Sequence, residues 1–168
     1  MVPEPVRRDR ALDMAGPPTR SERTTRTAML LEWGARLVGA ALLAAMAGIH
    51  LHLWNTGYRT IAVIGPLFLV NAIGGALLCV AVVAAPRKLL AWVSAAGAGL
   101  LAGTLLGLLL SATTGLFGFT ESLHAPLVAA TIATELAGTL VLGGLAVYLA
   151  AQHPLFIRFR NRRETHPT

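Results

Sequence analysis

The sequence predicts an all-α fold, a four-transmembrane-helix bundle with both termini cytoplasmic. Three observations carry that expectation. Residues 37–58, 60–86, 89–120 and 136–157 contain no Asp, Glu, Lys or Arg, and a helix of about 20 mostly apolar residues crosses the hydrocarbon core of a bilayer. The segments between these stretches are short and carry Gly, Pro or charge. Thirteen of the 14 Lys and Arg residues fall in the N-terminal region through Arg36, at Arg87–Lys88 or in the C-terminal tail, and only Arg59 falls elsewhere. Basic residues are retained on the cytoplasmic side of a membrane, so the termini and the middle connection are assigned there.

Residues 1–35 read as a basic cytoplasmic tail. Over 1–27 it is rich in Pro, Arg and Thr without apolar periodicity, which predicts disorder; Leu30 to Trp33 then enter the interface. The first span is expected over about 36–54, followed by a tight turn, Trp54-Asn55-Thr56-Gly57-Tyr58-Arg59, with its aromatics at headgroup depth. Ala45-Met46-Ala47 resembles a signal-peptidase site. The long charged segment before it and the apolar run continuing to Trp54 favour an uncleaved helix. The second span covers about 61–85, with Pro66 suited to a first helical turn and Pro86 ending the helix. The third covers about 89–111 after the basic Arg87-Lys88 turn. A Gly/Phe/Thr loop, Thr113 to His124, leads to the fourth, about 126–151. A basic tail, 153–168, carries Arg158, Arg160, Arg162 and Arg163.

Four spans use most of the 168 residues, leaving no room for a separate soluble domain. The net charge of +6 sits in tails and one loop, which suits anionic lipid and argues against nucleic acid. The single cysteine, Cys79, excludes an intrachain disulfide and most cysteine metal sites. There is no phosphate-binding glycine loop, no HExxH and no nucleophile elbow.

Small residues recur at four-residue spacing. The third span carries Ala95, Gly99, Gly103, Gly107 and Ser111; the first carries Ala40, Ala44, Gly48 and His52; the second Asn71, Gly75 and Cys79; the fourth Thr131, Glu135, Thr139 and Gly143. Such rows allow close helix approach in lipid, so Gly48, Gly99, Gly103 and Gly107 are expected at helix contacts, within the bundle or against another membrane subunit.

Glu135 stands out. It lies roughly 14 Å beyond Pro126 at 1.5 Å per residue, where a carboxylate costs about 2.5–3.5 kcal/mol on insertion scales. It is expected to face protein or water and to favour its protonated form. Two roles are open: a proton-carrying or ligand-binding carboxyl, or an interhelical hydrogen bond to Asn71 or Thr104. Thr139 shares its face.

A second group gathers at the outer surface: His50 and His52 at the end of the first span, Glu121 and His124 before the fourth, and Arg59. Imidazoles with a carboxylate can hold a transition metal or a haem. Residues two apart on a helix differ by about 200°, so at most one of His50 and His52 points inward, and His52 shares the small-residue face. The spacing fits no metal motif, which favours headgroup contacts and a Glu121–Arg59 pair; no metal site or other cofactor is expected from it.

The segments His50-Leu51-His52-Leu53-Trp54 through Pro66-Leu67-Phe68-Leu69-Val70-Asn71, and Gly115 to Glu121, resemble uncharacterised small four-span membrane proteins of high-GC bacteria. The resemblance covers about residues 36–152 and implies a layout and no activity. The role expected is an accessory or structural subunit of the bacterial inner membrane, homo-oligomeric or packed against other membrane proteins. A second reading is a redox-linked protein binding haem, metal or quinone in a polar pocket of the outer half. A third is a small proton-coupled carrier acting through Glu135.

Overall fold

The computed structural model describes residues 19–152; the expectations for 1–18 and 153–168 lie outside them. The described chain is built from four long helices, each apolar and long enough to cross a membrane: α1 (Arg20–Thr56), α2 (Ile64–Ala84), α3 (Arg87–Thr113) and α4 (Val128–Ala151), with a 3-10 turn at Tyr58–Thr60.

Three helices fall within a few residues of their expected bounds. The first begins at Arg20 rather than near Arg36, so residues expected in a disordered tail are helical. Its start is capped: the Thr19 N–H donates to Glu22 Oε2 at 2.7 Å, and the Glu22 N–H to Thr19 Oγ1 at 3.4 Å. That reciprocal pair is a capping box, and no Gly or Pro interrupts the chain from there to Trp33. Of the described residues, 19–33 belong to one unit and 34–152 to another, and the core and the cavity belong to the second.

Within it, α2 ends where proline demands. Ala85 is extended, with φ −60° and ψ 131°, as a residue before proline prefers, and α3 starts at Arg87 directly after Pro86. Arg36, counted at the sequence level only as a topology signal, is buried, and its guanidinium donates to the carbonyls of Val83 and Ala85 at 3.4 and 3.1 Å. It thereby satisfies carbonyls that the last turn of α2 leaves without helical partners.

The connections α1–α2 and α3–α4 lie at one end of the unit, here the loop end; the α2–α3 turn lies at the other, the terminal end. The packed core sits toward the terminal end. Leu43, Val82, Leu101 and Leu142 are fully buried and Met46 nearly so. A smaller cluster of Leu90, Leu145 and Leu149 lies nearer the α2–α3 turn. Without a hydrophobic drive between helices in lipid, close backbone approach carries the packing. Four glycines provide it. A Cβ at Gly39 would strike Leu142; at Gly97 it would come 2.8 Å from Leu142 Cδ1; at Gly138, 2.5 Å from Leu101 Cδ1; and at Gly75, 2.9 Å from Met46 Cε and 3.2 Å from the Leu43 carbonyl oxygen. Of these, only Gly75 belongs to a row read from the sequence.

The expected packing glycines stand elsewhere. Among the described residues, a Cβ built on Gly48, Gly99, Gly103 or Gly107 meets no atom within 4 Å beyond its own stretch of helix backbone. Within the bundle the three glycines of the third-span row therefore present an open surface, and the close contacts at Gly97 fall on the neighbouring face of α3.

Candidate functional site

That open surface is one wall of a cavity of about 380 Å³ at the loop end. From its middle to its C-terminus α3 contributes Gly99, Gly103, Gly107 and Ser111; α2 contributes Leu67, Phe68 and Asn71; α4 contributes Thr131 and Glu135; α1 contributes His50. The α3 row without side chains makes the space. Leu67, Gly99 and Gly103 line the cavity and are themselves exposed, so the cavity is open between α2 and α3.

The loops close its outer side, and short-range geometry sets them. Leu116 and Phe119 exchange backbone hydrogen bonds of 2.7 and 2.9 Å around Phe117 and Gly118, whose φ values of 52° and 78° give a tight turn with both central residues left-handed, the form that matches antiparallel twist. The Ser111 hydroxyl donates to the Phe119 carbonyl at 3.3 Å, and the Glu121 N–H donates to the Ser111 carbonyl at 3.3 Å. These bonds tether the loop to the end of α3 and set Phe119 and Glu121 over the cavity.

From the other loop Tyr58 reaches across. Its hydroxyl donates to Glu121 Oε2 at 2.6 Å, while its ring stacks on Phe68, with centroids 4.7 Å apart, and meets the edge of Phe119 at 5.8 Å. Burial, reinforced by the Glu121 carboxylate, holds the Tyr58 phenol above its usual range. Gly65 permits the arrangement: a Cβ there would lie 2.8 and 2.9 Å from the Arg59 and Tyr58 carbonyl oxygens. Among the described residues Glu121 forms no ion pair with Arg59, which is exposed; Tyr58 is the partner it takes instead. Tyr58, legible in the sequence only as an interfacial aromatic of the tight turn, is thus a site residue, and no local spacing links it to Glu121.

The two histidines are placed opposite to expectation. His50 is buried and lines the cavity, whereas His52 is exposed. The inward face of α1 is the one carrying Leu43, Met46 and Ala47, and the Ala40–Ala44–Gly48–His52 row turns away from it beyond Ala40. His50 Nδ1 lies 3.0 Å from the Met46 carbonyl oxygen. A carbonyl only accepts, so Nδ1 carries the proton. The ring also packs on Phe68 at 5.0 Å. His124 is exposed and does not line the cavity. Among the described residues no three His, Cys, Asp or Glu side chains converge as a metal site would require.

Glu135 lies at the inner end of the cavity, fully buried. Neither carboxyl oxygen has a hydrogen-bond partner among the described residues. Thr104 is its neighbour, but the single Thr104 proton is directed to the Leu100 and Leu101 carbonyls at 3.2 and 2.9 Å. Asn71 lines the same cavity without bonding across to it. Thr139 donates to the backbone carbonyl of Glu135 at 2.7 Å, a local helix contact that leaves the carboxyl untouched. The structure thus brings Glu135, Asn71, Thr104, His50 and Glu121 to one cavity and leaves out Thr139, His52 and His124.

The chain matches no protein-family model, no curated protein and no solved structure.

Proposed function

We propose that this multi-pass membrane protein binds a small, mostly apolar molecule with a polar head in the loop-end cavity. The observation that carries the reading is the fully buried Glu135 carboxyl, without a partner among the described residues, at the end of a cavity walled mainly by apolar residues and glycine with a few polar groups between them. A buried carboxyl left without a partner costs several kcal/mol relative to a paired one, and a ligand donor supplies the missing bond. Apolar walls with a few convergent polar groups are the usual character of small-molecule sites. The opening between α2 and α3 faces acyl chains once the helices stand in a bilayer, which suits a ligand arriving from the membrane.

The location proposed is the bacterial inner membrane with both termini cytoplasmic, supported by the thirteen-to-one basic asymmetry. The cavity then lies in the outer half. Reporter fusions after residue 168 and at Arg87 read cytoplasmic and one at Thr120 reads external; a cytoplasmic signal at Thr120 overturns the orientation.

Gly103→Leu tests the site. The leucine projects into the cavity, where a Cβ meets nothing within 4 Å, so the fold is expected to survive while the cavity fills. Native mass spectrometry after mild-detergent purification is expected to find a small molecule on the wild-type protein and none on Gly103→Leu, with unchanged melting. An empty wild-type protein whose oligomer dissociates on Gly103→Leu would assign the glycine row to helix packing and return the function to an accessory subunit.

A further inference from the structure

The polar groups of the cavity differ sharply in what they can still offer. Ser111, Thr104 and Thr131 each direct their one hydroxyl proton to a backbone carbonyl: Phe119 at 3.3 Å, Leu101 at 2.9 Å and Leu127 at 2.9 Å. Tyr58 directs its proton to Glu121, and His50 spends its Nδ1 proton on Met46. Acceptors remain. Both oxygens of Glu135 are without partners among the described residues, and a neutral His50 ring offers Nε2, whereas both oxygens of Glu121 are engaged, Oε2 by the Tyr58 hydroxyl and Oε1 by the Ser122 N–H at 3.0 Å. Asn71 alone retains side-chain donors, alongside an acceptor of its own. Among the described residues no Lys or Arg lines the cavity, while two carboxyl residues do. The rim is aromatic, with Tyr58 in contact with both Phe68 and Phe119, and ring faces attract cations.

We propose that the cavity selects an amphipathic amine, a cationic head that donates hydrogen bonds to Glu135 and an apolar body lying against Leu67, Phe68, Leu100 and Leu108. This rests on the reading of the cavity as a small-molecule site and adds the chemistry of its ligand. An anionic head meets two carboxyls and no fixed positive charge. A neutral hydroxyl head satisfies one Glu135 oxygen and gains no charge complementarity. An ammonium carries several donors on one centre, satisfies both oxygens and forms the stronger charge-assisted bonds. The small residues of α3 leave the breadth for the body, and the lateral opening admits a chain longer than the cavity.

Three probes of one shape and different heads separate the outcomes: phenylbutylamine, phenylbutanol and phenylbutyrate, titrated calorimetrically near neutral pH into the full-length protein in detergent. Gly103→Leu serves as the control for partition into micelles. The expected order is amine tightest, by about tenfold or more over the alcohol, and the carboxylate weakest. Glu135→Gln is expected to keep alcohol binding and to lose the preference for the amine. Equal affinities, or an alcohol that binds more tightly than the amine, overturn the amine assignment while leaving the cavity a binding site. Absence of all binding above the Gly103→Leu control overturns the cavity reading itself. Glu121→Gln covers the case in which Glu135→Gln does not fold: a preference abolished by Glu121→Gln places the head at the rim and contradicts its assignment to Glu135.

Discussion

The two ends of the bundle solve the problem of helix association differently. From the terminal end to the middle of the bundle, Gly39, Gly75, Gly97 and Gly138 each face a side chain that occupies the space a Cβ would need, and Leu43, Leu101 and Leu142 interlock there with no exposure. At the loop end, Gly103 and Gly107 face no side chain among the described residues, the polar groups gather, and cross-loop contacts through Tyr58, Phe68, Phe119 and Glu121 hold the elements together. The same residue type serves opposite purposes on adjacent faces of one helix. On the Gly97 face of α3 glycine removes volume so that a neighbour can enter; on the Gly103 face it removes volume that stays empty. A rigid end and a hollow end on four shared helices give a ligand site whose walls are fixed by packing remote from it.

Substitutions that fill each kind of glycine should separate the ends most strongly. Gly75→Leu and Gly138→Leu force Met46, Leu42 or Leu101 aside, and at Gly75 the Leu43 backbone as well. Overpacking of this sort costs about 1–3 kcal/mol or more, and thermal unfolding in detergent is expected to fall by roughly 3–10 °C or expression to fail. Gly103→Leu is expected to leave the midpoint near that of wild type. Equal losses at both ends would remove the distinction.

Arg36→Met comes next. It deletes charge-assisted bonds to two carbonyls at the α2 terminus while keeping an apolar stem, and about 2 kcal/mol of stability is expected to go with them, read from unfolding midpoints. Tyr58→Phe is milder. It removes the bond to Glu121 but keeps the ring stack on Phe68, so the loss expected is about 1 kcal/mol, with looser closure of the loop end seen as faster amide exchange at Leu116 and Phe119. The smallest effect is spectroscopic. The Tyr58 phenol is held up by burial first and by Glu121 second, so it binds its proton more tightly folded than unfolded. Its stabilising contribution is present at neutral pH and declines only as pH climbs past the ordinary tyrosine value of about 10. Ultraviolet titration should therefore show a late phenolate component that Tyr58→Phe abolishes.

Much of the fold is legible in the sequence because lipid writes a coarse rule: a charge-free run of sufficient length must cross, and proline and charge mark its ends. That rule locates α2, α3 and α4 and misses the start of α1, where Arg, Thr and Glu make a polar helix whose signal is the Thr19–Glu22 cap rather than hydropathy. The site is legible in part. Glu135, Asn71 and Thr104 are found by depth alone, since polarity inside an apolar run has to be accommodated. Facing is not legible. A helix apolar on all sides carries little amphipathic signal, so the small-residue row passes for the inward face, and His52 is preferred over His50. The glycines fail for the same reason. Whether Gly103 meets a neighbour depends on where α2 and α4 lie, which four-residue spacing does not encode. Tyr58 joins Glu121 across 63 positions of sequence, beyond any local pattern.

The contrast between a filled and a hollow end is tested most directly by the reactivity of a thiol placed in each. In a Cys79→Ala background, Thr104→Cys puts a sulfur on the cavity wall and Ser94→Cys puts one where the side chain is fully buried. Both are modified in native membranes with the small neutral reagent methyl methanethiosulfonate, under alkaline conditions that populate the thiolate. Thr104→Cys is expected to react at least about tenfold faster than Ser94→Cys, because reagent access limits the rate at a closed site, and to be slowed by phenylbutylamine. Equal rates, or a faster reaction at Ser94→Cys, would contradict the account.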